Sequence, residues 1–347
     1  MFTWGVLSAL TALVTGPTSF YTVRILLGAA EAGFFPGVIL FLTFWVPSAY
    51  RGRVVAMFMA AMPFASVFGS PLSGWLLSID GALGLKGWQL LFIAEALPSL
   101  VLAVIVLRVL RDSPAQAEWL MDDERKWLTQ TIELERQREV SVMARGFINI
   151  VRRPLILFLA AAYFGIVGFN FGLSFFLPQI VKQFHLSLPM IGLVAAIPFL
   201  VGGSGMILWG RHSDRYGERR FHLLVPMALA IVGLASSTLV TIPALKLALL
   251  CLASFGVFSA LPIFWALLPE LLGPAVAAVG FAVINSIGNL SGFAAPYVVG
   301  VIADATGTTA GGLQVIAAYG CIALVILACV TRAHRHRSLG EHPARAQ

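Results

Sequence analysis

The sequence predicts an all-α integral membrane protein, and three observations carry that prediction. Of its 347 residues, 59% are hydrophobic and only 11% charged, with a mean hydropathy of +0.90. A soluble domain carries roughly 25% charged residues. Apolar runs of bilayer-spanning length, about 20 residues each, recur along the whole chain. The basic residues fall in alternate connections between those runs, as membrane topology requires. The formal charge of +7 is therefore a matter of topology, and nucleic-acid binding is not expected.

Taken in order, the first run is short: "MFTWGVLSALTALVTGP" lacks the basic start of a signal peptide and reads as a helix whose beginning is missing. Longer runs follow at 18–46, 54–79 and 88–110, then at 155–181, 189–210, 221–243, 247–269, 272–302 and 311–331. Arg51, Arg53, Arg108, Arg111, Arg152 and Arg153 mark the basic connections, followed by Arg211, Arg215, Arg219 and Arg220, and after the last run by Arg332, Arg335 and Arg337. The positive-inside rule puts these connections, Met1 and the C-terminus in the cytoplasm of an inner-membrane protein. Residues 111–153 differ, holding eight of the chain's 16 acidic residues together with eight basic ones. Trp119, Leu120, Trp127, Leu128 and Ile132 recur at helical spacing there, which predicts a helix at the inner surface. The expected organisation is an incomplete bundle at 1–110, a charged linker at 111–153, a six-helix bundle at 154–332 and a cytoplasmic tail at 333–347. Three cysteines lie in apolar runs with neither metal-ligand nor disulfide spacing. "FGSPLSGWLL" at 68–77 and "IGNLSGFAAPYVVG" at 287–300 hint at the internal symmetry of secondary transporters.

"RILLGAAEAGFFPGVILFLTFWVPSAYRGRVVAMF" at 24–58 resembles the fourth helix and following loop of the anion:cation symporter family, within the major facilitator superfamily. "GWQLLFIAEALPS" at 87–99, "AEWLMDDERKWL" at 117–128 and "INSIGNLSGFAAPYVVG" at 284–300 resemble the same family, and "GRHSDRYGERR" at 210–220 resembles the superfamily's cytoplasmic motif. The resemblance implies a two-bundle fold of twelve helices, of which about ten are present here, the first two being absent. It also implies transport of organic anions such as tartrate, phthalate derivatives, hexuronates or galactonate, commonly with protons.

Charges inside hydrocarbon cost about 2.5–3.5 kcal/mol each on insertion scales. Arg24 and Glu31 are the pair that needs explaining. Seven residues apart on a helix, they share a face and are separated by a rise of about 10.5 Å. Arg24 can present a planar donor fork to a carboxylate, and Glu31, partly desolvated, can take up and release a proton. The competing reading is a structural ion pair. Glu95 is a weaker candidate, which a hydrogen bond to a neighbouring helix end explains equally well. Asn285 and Asn289, at i and i+4, either bind substrate or join helices at the Gly288-x-x-x-Gly292 pattern. Tyr163 and Asn170, again seven apart, are further substrate candidates. Asp214, Arg215 and Arg219 read as a gate latch, with Asp214 capping a helix, or as topology alone. No nucleophilic triad, zinc-ligand spacing or phosphate loop is present, so neither an enzyme nor a cofactor or metal is expected. The expected function is proton-coupled uptake of a small organic anion by a monomer through alternating access. The alternatives are efflux on the same fold and a non-transporting, truncated membrane protein.

Overall fold

The computed structural model describes residues 1–143, 153–272 and 274–340. Arg152, Glu341, His342 and the end of the expected tail lie outside these residues. The described residues form helices joined by short connections: α1 (Phe2–Leu10), α2 (Pro17–Glu31), α3 (Phe34–Trp45), α4 (Ser48–Ser78), α5 (Gly87–Val109) and α6 (Asp122–Met143). There follow α7 (Pro154–Lys182), α8 (Leu188–Tyr216), α9 (Arg220–Ser237), α10 (Pro243–Leu272), α11 (Pro274–Asn289), α12 (Ser291–Thr306) and α13 (Ala310–Gly340). Eight helical stretches among the described residues are long and apolar enough to cross a bilayer. The 31-residue α4 is long enough but is not among those eight, and α1 is shorter, so all ten expected segments are helical while eight meet the length and hydropathy measure among the described residues.

Proline and glycine set the helix ends. Pro17, Pro154, Pro243 and Pro274 open α2, α7, α10 and α11, where the missing N–H would have had no partner anyway. The expected run 18–46 is two helices rather than one. Pro36 cannot donate to the Ala32 carbonyl four residues back, and its ring crowds that carbonyl. The chain accordingly leaves the helix at Ala32–Gly33 and resumes at Phe34. The run 272–302 is likewise divided at Leu290, where the buried Ser291 Oγ donates to the Gly288 carbonyl at 2.6 Å.

Contacts cluster the chain into two units. One holds Met1–Phe58, Pro71–Val140 and Ser187–Gly192; the other holds Met59–Ser70, Ser141–Leu186 and Leu193–Gln347. In the first, α1 packs on α5 and α2. There the expected surface helix of the linker begins only at Asp122, so Trp119 and Leu120 precede it. Asp122, Asp123 and Glu124 fill its first turn, where acidic groups meet the positive end of the helix dipole. Glu135 of α6 reaches the start of α4, accepting from the Ser48 N–H at 3.0 Å, the Ser48 hydroxyl at 2.7 Å and Arg51 at 3.3 Å. Trp119 stacks flat on Trp45, with centroids 5.9 Å apart, and the Trp45 indole donates to the Arg111 carbonyl.

In the second unit α7 is the hub, packing on α10, α11, α12 and α13, while α9 packs on α10 and α13. In its most apolar window α7 is 67% buried, against 6% for the stretch Pro17–Trp45 of the first unit. The α13 helix runs through residue 340, well into the segment expected as a tail.

Candidate functional site

The charged pair sits on α2, in the first unit. Arg24 and Glu31 belong to one unbroken helix and so share a face, and Glu31 is its last residue, at the Pro36-induced break. The Arg24 guanidinium lies over the Phe20 ring, 5.5 Å from its centroid. Both charged side chains are exposed within the structure. Among the described residues neither has an ionic partner, so the pair is not a structural salt bridge within α2. In the same unit, Glu95 accepts a hydrogen bond from the Ser73 hydroxyl within α4.

The polar candidates of the second unit gather around α7. Tyr163 is buried, stacked on Phe264 (5.1 Å, 14°) and edge-on to Trp265 (4.8 Å, 70°). Its ring occupies the space where Gly288 has no side chain. Gly292 opens the same kind of space to the Phe171 ring, where a Cβ would come within 2.9 Å. The Gly288-x-x-x-Gly292 pattern thus does bring helices close, as expected of small residues. Asn289 donates from Nδ2 to both the Asn285 carbonyl and its Oδ1, each at 2.9 Å. This pairing fixes the Asn285 side chain and leaves its own Nδ2 as a donor.

Among the residues around Tyr163, two polar atoms lack hydrogen-bond partners; elsewhere in this unit so do Arg220 Nε and the hydroxyls of Ser254 and Ser259. Asn170 is 8% exposed, and its buried Oδ1 has no hydrogen bond. The buried Trp265 Nε1 comes near the Tyr163 oxygen without meeting hydrogen-bond geometry. Buried polar groups are nearly always paired, which marks both as candidates for contact with a polar ligand. Sequence reasoning missed Trp265, because one tryptophan among eight carries no signal until its N–H is seen without a partner.

The motif at 210–220 corrects another expectation. Residues 210–216 continue α8, and only 217–219 form the turn, with Gly217 at φ +63°. Asp214 caps no helix. Glu218 does so instead, accepting from the backbone N–H of Phe221 (2.7 Å) and His222 (3.2 Å) from its place one residue ahead of Arg219, the residue that precedes α9. Burial draws the Glu218 carboxyl upward, but these bonds and the His222 ring outweigh it and hold the group below its usual range. Asp214 pairs with Arg219 at 2.5 Å inside the same turn, and Arg219 also donates to Ser213, whose hydroxyl donates to the Glu218 carbonyl. Arg215 is exposed, with no partner among the described residues. Among those residues no group of three or more His, Cys, Asp or Glu side chains is arranged to hold a metal.

Residues 1–296 match the Major Facilitator Superfamily model. The chain is 43% identical over 336 residues to a "Putative tartrate transporter" of Agrobacterium vitis, covering 96% of this chain and 76% of that protein. It is 38% identical to the "Putative metabolite transport protein NicT" of Pseudomonas putida, covering 95% and 75%. It is 35% identical to a "Quinolone resistance transporter" of Acinetobacter baumannii, covering 94% and 75%. Among solved structures, the inward-facing bacterial homologue of the lysosomal transporter Spinster superposes with a TM-score of 0.68 over 99% of this chain and 83% of that one, at 16% identity. With its apolar helices and these relatives, the chain is a multi-pass membrane transporter rather than an enzyme, and it belongs to the major facilitator superfamily.

Proposed function

We propose that this transporter takes up a small organic anion, a sugar acid or dicarboxylate, together with protons, in a bacterial inner membrane with its C-terminus in the cytoplasm. The observation that carries the reading is Arg24 and Glu31 on one face of α2, neither with an ionic partner among the described residues. A charge within a membrane helix is most economically explained by a pathway for ions or substrate. The 43%-identical tartrate-transporter relative supports an anion as cargo. In this reading the Arg24 fork engages a substrate carboxylate. Within the second unit, taken by itself, Asn285 and Asn289 with the Trp265 N–H are donors for polar groups of an anion, Asn170 offers an acceptor, and Tyr163 orients the indole. Glu31 carries the proton through the alternating-access cycle, while Asp214, Arg215 and Arg219 act at the cytoplasmic gate.

The test is tartrate uptake by proteoliposomes with an imposed pH gradient. Glu31→Gln is expected to abolish stimulation by an acidic exterior while exchange of labelled tartrate persists, and Arg24→Lys to raise the half-saturating concentration at least tenfold. Unchanged stimulation in Glu31→Gln overturns the assignment of the proton to Glu31. Efflux of drugs is the second reading, favoured by the quinolone-resistance relative. Competition of tartrate binding by lipophilic cations, and not by hydroxy acids, would establish it instead.

A further inference from the structure

The turn joining α8 to α9 holds a chain of ionisable groups that the transport reading above does not use. His222 Nδ1 lies 2.7 Å from Glu218 Oε2, and His222 Nε2 lies 2.7 Å from His212 Nδ1. His222 is 8% exposed, its carbonyl accepts from the Trp209 indole at 2.8 Å, and Glu218 is anchored by two backbone N–H groups. His212 is exposed and stands between the Trp209 ring (5.9 Å, 17°) and the Tyr216 ring (4.6 Å).

Proton bookkeeping restricts what this chain can hold. Each of the two contacts needs one hydrogen. With both imidazoles neutral and Glu218 ionised, two hydrogens fill two contacts, so both rings must carry theirs on Nδ1. One additional proton fits without breaking either contact. It gives the outward His212 Nε2 a hydrogen and leaves the hydrogen between the rings shared, while positive charge settles beside the Glu218 carboxylate. Such charge-assisted bonds are about twice as strong as neutral ones. A further proton would put two N–H groups face to face and push the rings apart. A metal ion does not fit in place of the proton, because zinc would stand about 2.0–2.1 Å from each nitrogen and a 2.7 Å separation leaves no room for it on a favourable tetrahedral path.

We propose that Glu218, His222 and His212 form a binding site for one proton, separate from Glu31, in which the bound proton ties the end of α8 to the start of α9. Several other ionisable groups surround this site. Arg211, Asp214, Arg215 and Tyr216 come from α8, Arg219 from the turn and Arg220 from α9. The face of α10 is apolar there, Phe255 meeting Trp209, with no ionisable residue between Cys251 and Glu270. The α13 helix runs antiparallel to α9, Gln314 bonding Thr238 and Gly320 meeting Ile231, so it brings Cys329 and Arg332 toward this end. Asp214 and Arg219 neutralise each other, which leaves Glu218 as the carboxylate in contact with the pair. The tie acts on the turn that holds the Arg219–Ser213–Glu218 bonds, so proton occupancy stiffens the cytoplasmic motif.

Nitrogen-15 NMR of histidine-labelled protein in lipid nanodiscs, titrated from pH 8.5 to 5, tests this. The chain has six histidines, so His212→Phe and His222→Gln variants suffice for assignment. The expected result is an Nδ1–H tautomer on both rings at high pH, then uptake of one proton that moves the two sets of resonances together. His212→Phe keeps the aromatic stack with Trp209 and Tyr216 but removes the acceptor, and it should lower the proton affinity of His222 at least tenfold. Glu218→Gln should lower it as well, which guards against a packing artefact in the first variant. Independent titration of the two rings, with His222 unmoved by either substitution, overturns the proposal. An Nε2–H tautomer on His222 at high pH overturns it too.

Discussion

At the scale of single residues, the proposed site draws on polar groups set within apolar stretches of sequence. Arg24 and Glu31 were legible in the sequence because a charge in an apolar run stands out against its neighbours and helical spacing puts the two on one face. Trp265 and the His212–His222 contact were not, since each depends on what a turn or a neighbouring helix brings near. The asparagines lie between these cases: their spacing put them on one face, but only the structure shows Asn289 committed to holding Asn285. Gly288 permits a direct test. Its missing side chain is filled by the Tyr163 ring, so Gly288→Ala is expected to destabilise the protein by about 1–3 kcal/mol, the usual cost of overpacking. It should also shift Tyr163 against Trp265, visible as changed tryptophan fluorescence together with a lower melting temperature in detergent. A melting temperature equal to that of the native chain would mean that Tyr163 has room to move.

At the scale of elements, the helices were legible as hydrophobic runs, but their interruptions were not. Hydropathy averages over a window and is blind to a single missing N–H, which is how Pro36 divides one expected helix into α2 and α3. The linker was read as a surface helix from its aromatic spacing, yet the acidic triplet Asp122–Glu124 sets its start, because it favours the positive end of the dipole. The contact of Glu135 with α4 needed the tertiary structure, since 87 residues separate the partners. It acts as a cap from outside the helix, satisfying the Ser48 N–H that α4 cannot. Losing a helix cap costs about 0.5–2 kcal/mol, so Glu135→Ala should lower stability by about 1 kcal/mol. Glu135→Gln should lose less, because its amide oxygen still accepts from Ser48. Hydrogen exchange at the start of α4 is the measurement, and equal protection in the native chain and Glu135→Ala would show the cap to be idle.

At the scale of the molecule, the two units differ in how much apolar surface each buries within itself, and the second contains the proton-holding turn. Glu218 gives that unit a pH dependence whose sign is fixed. Its folded carboxyl is held below the usual range, so its contribution to stability is fully present above the unfolded value, about 4.3 for a glutamate. The contribution fades as pH falls through the folded value. The difference in melting temperature between the native chain and Glu218→Gln is therefore expected to shrink as pH falls below about pH 4, beneath the range in which uptake of the histidine proton widens it. A difference that kept growing below about pH 4 would reverse the assignment. The position of α7 as hub has a consequence for biogenesis. Synthesis runs from the N-terminus, so α7 enters the bilayer before α10, α11, α12 and α13, all of which it later contacts. Until they arrive its buried face, Asn170 included, is turned to lipid or to the insertion machinery, and the nascent second unit has no finished interior before its last helix is made.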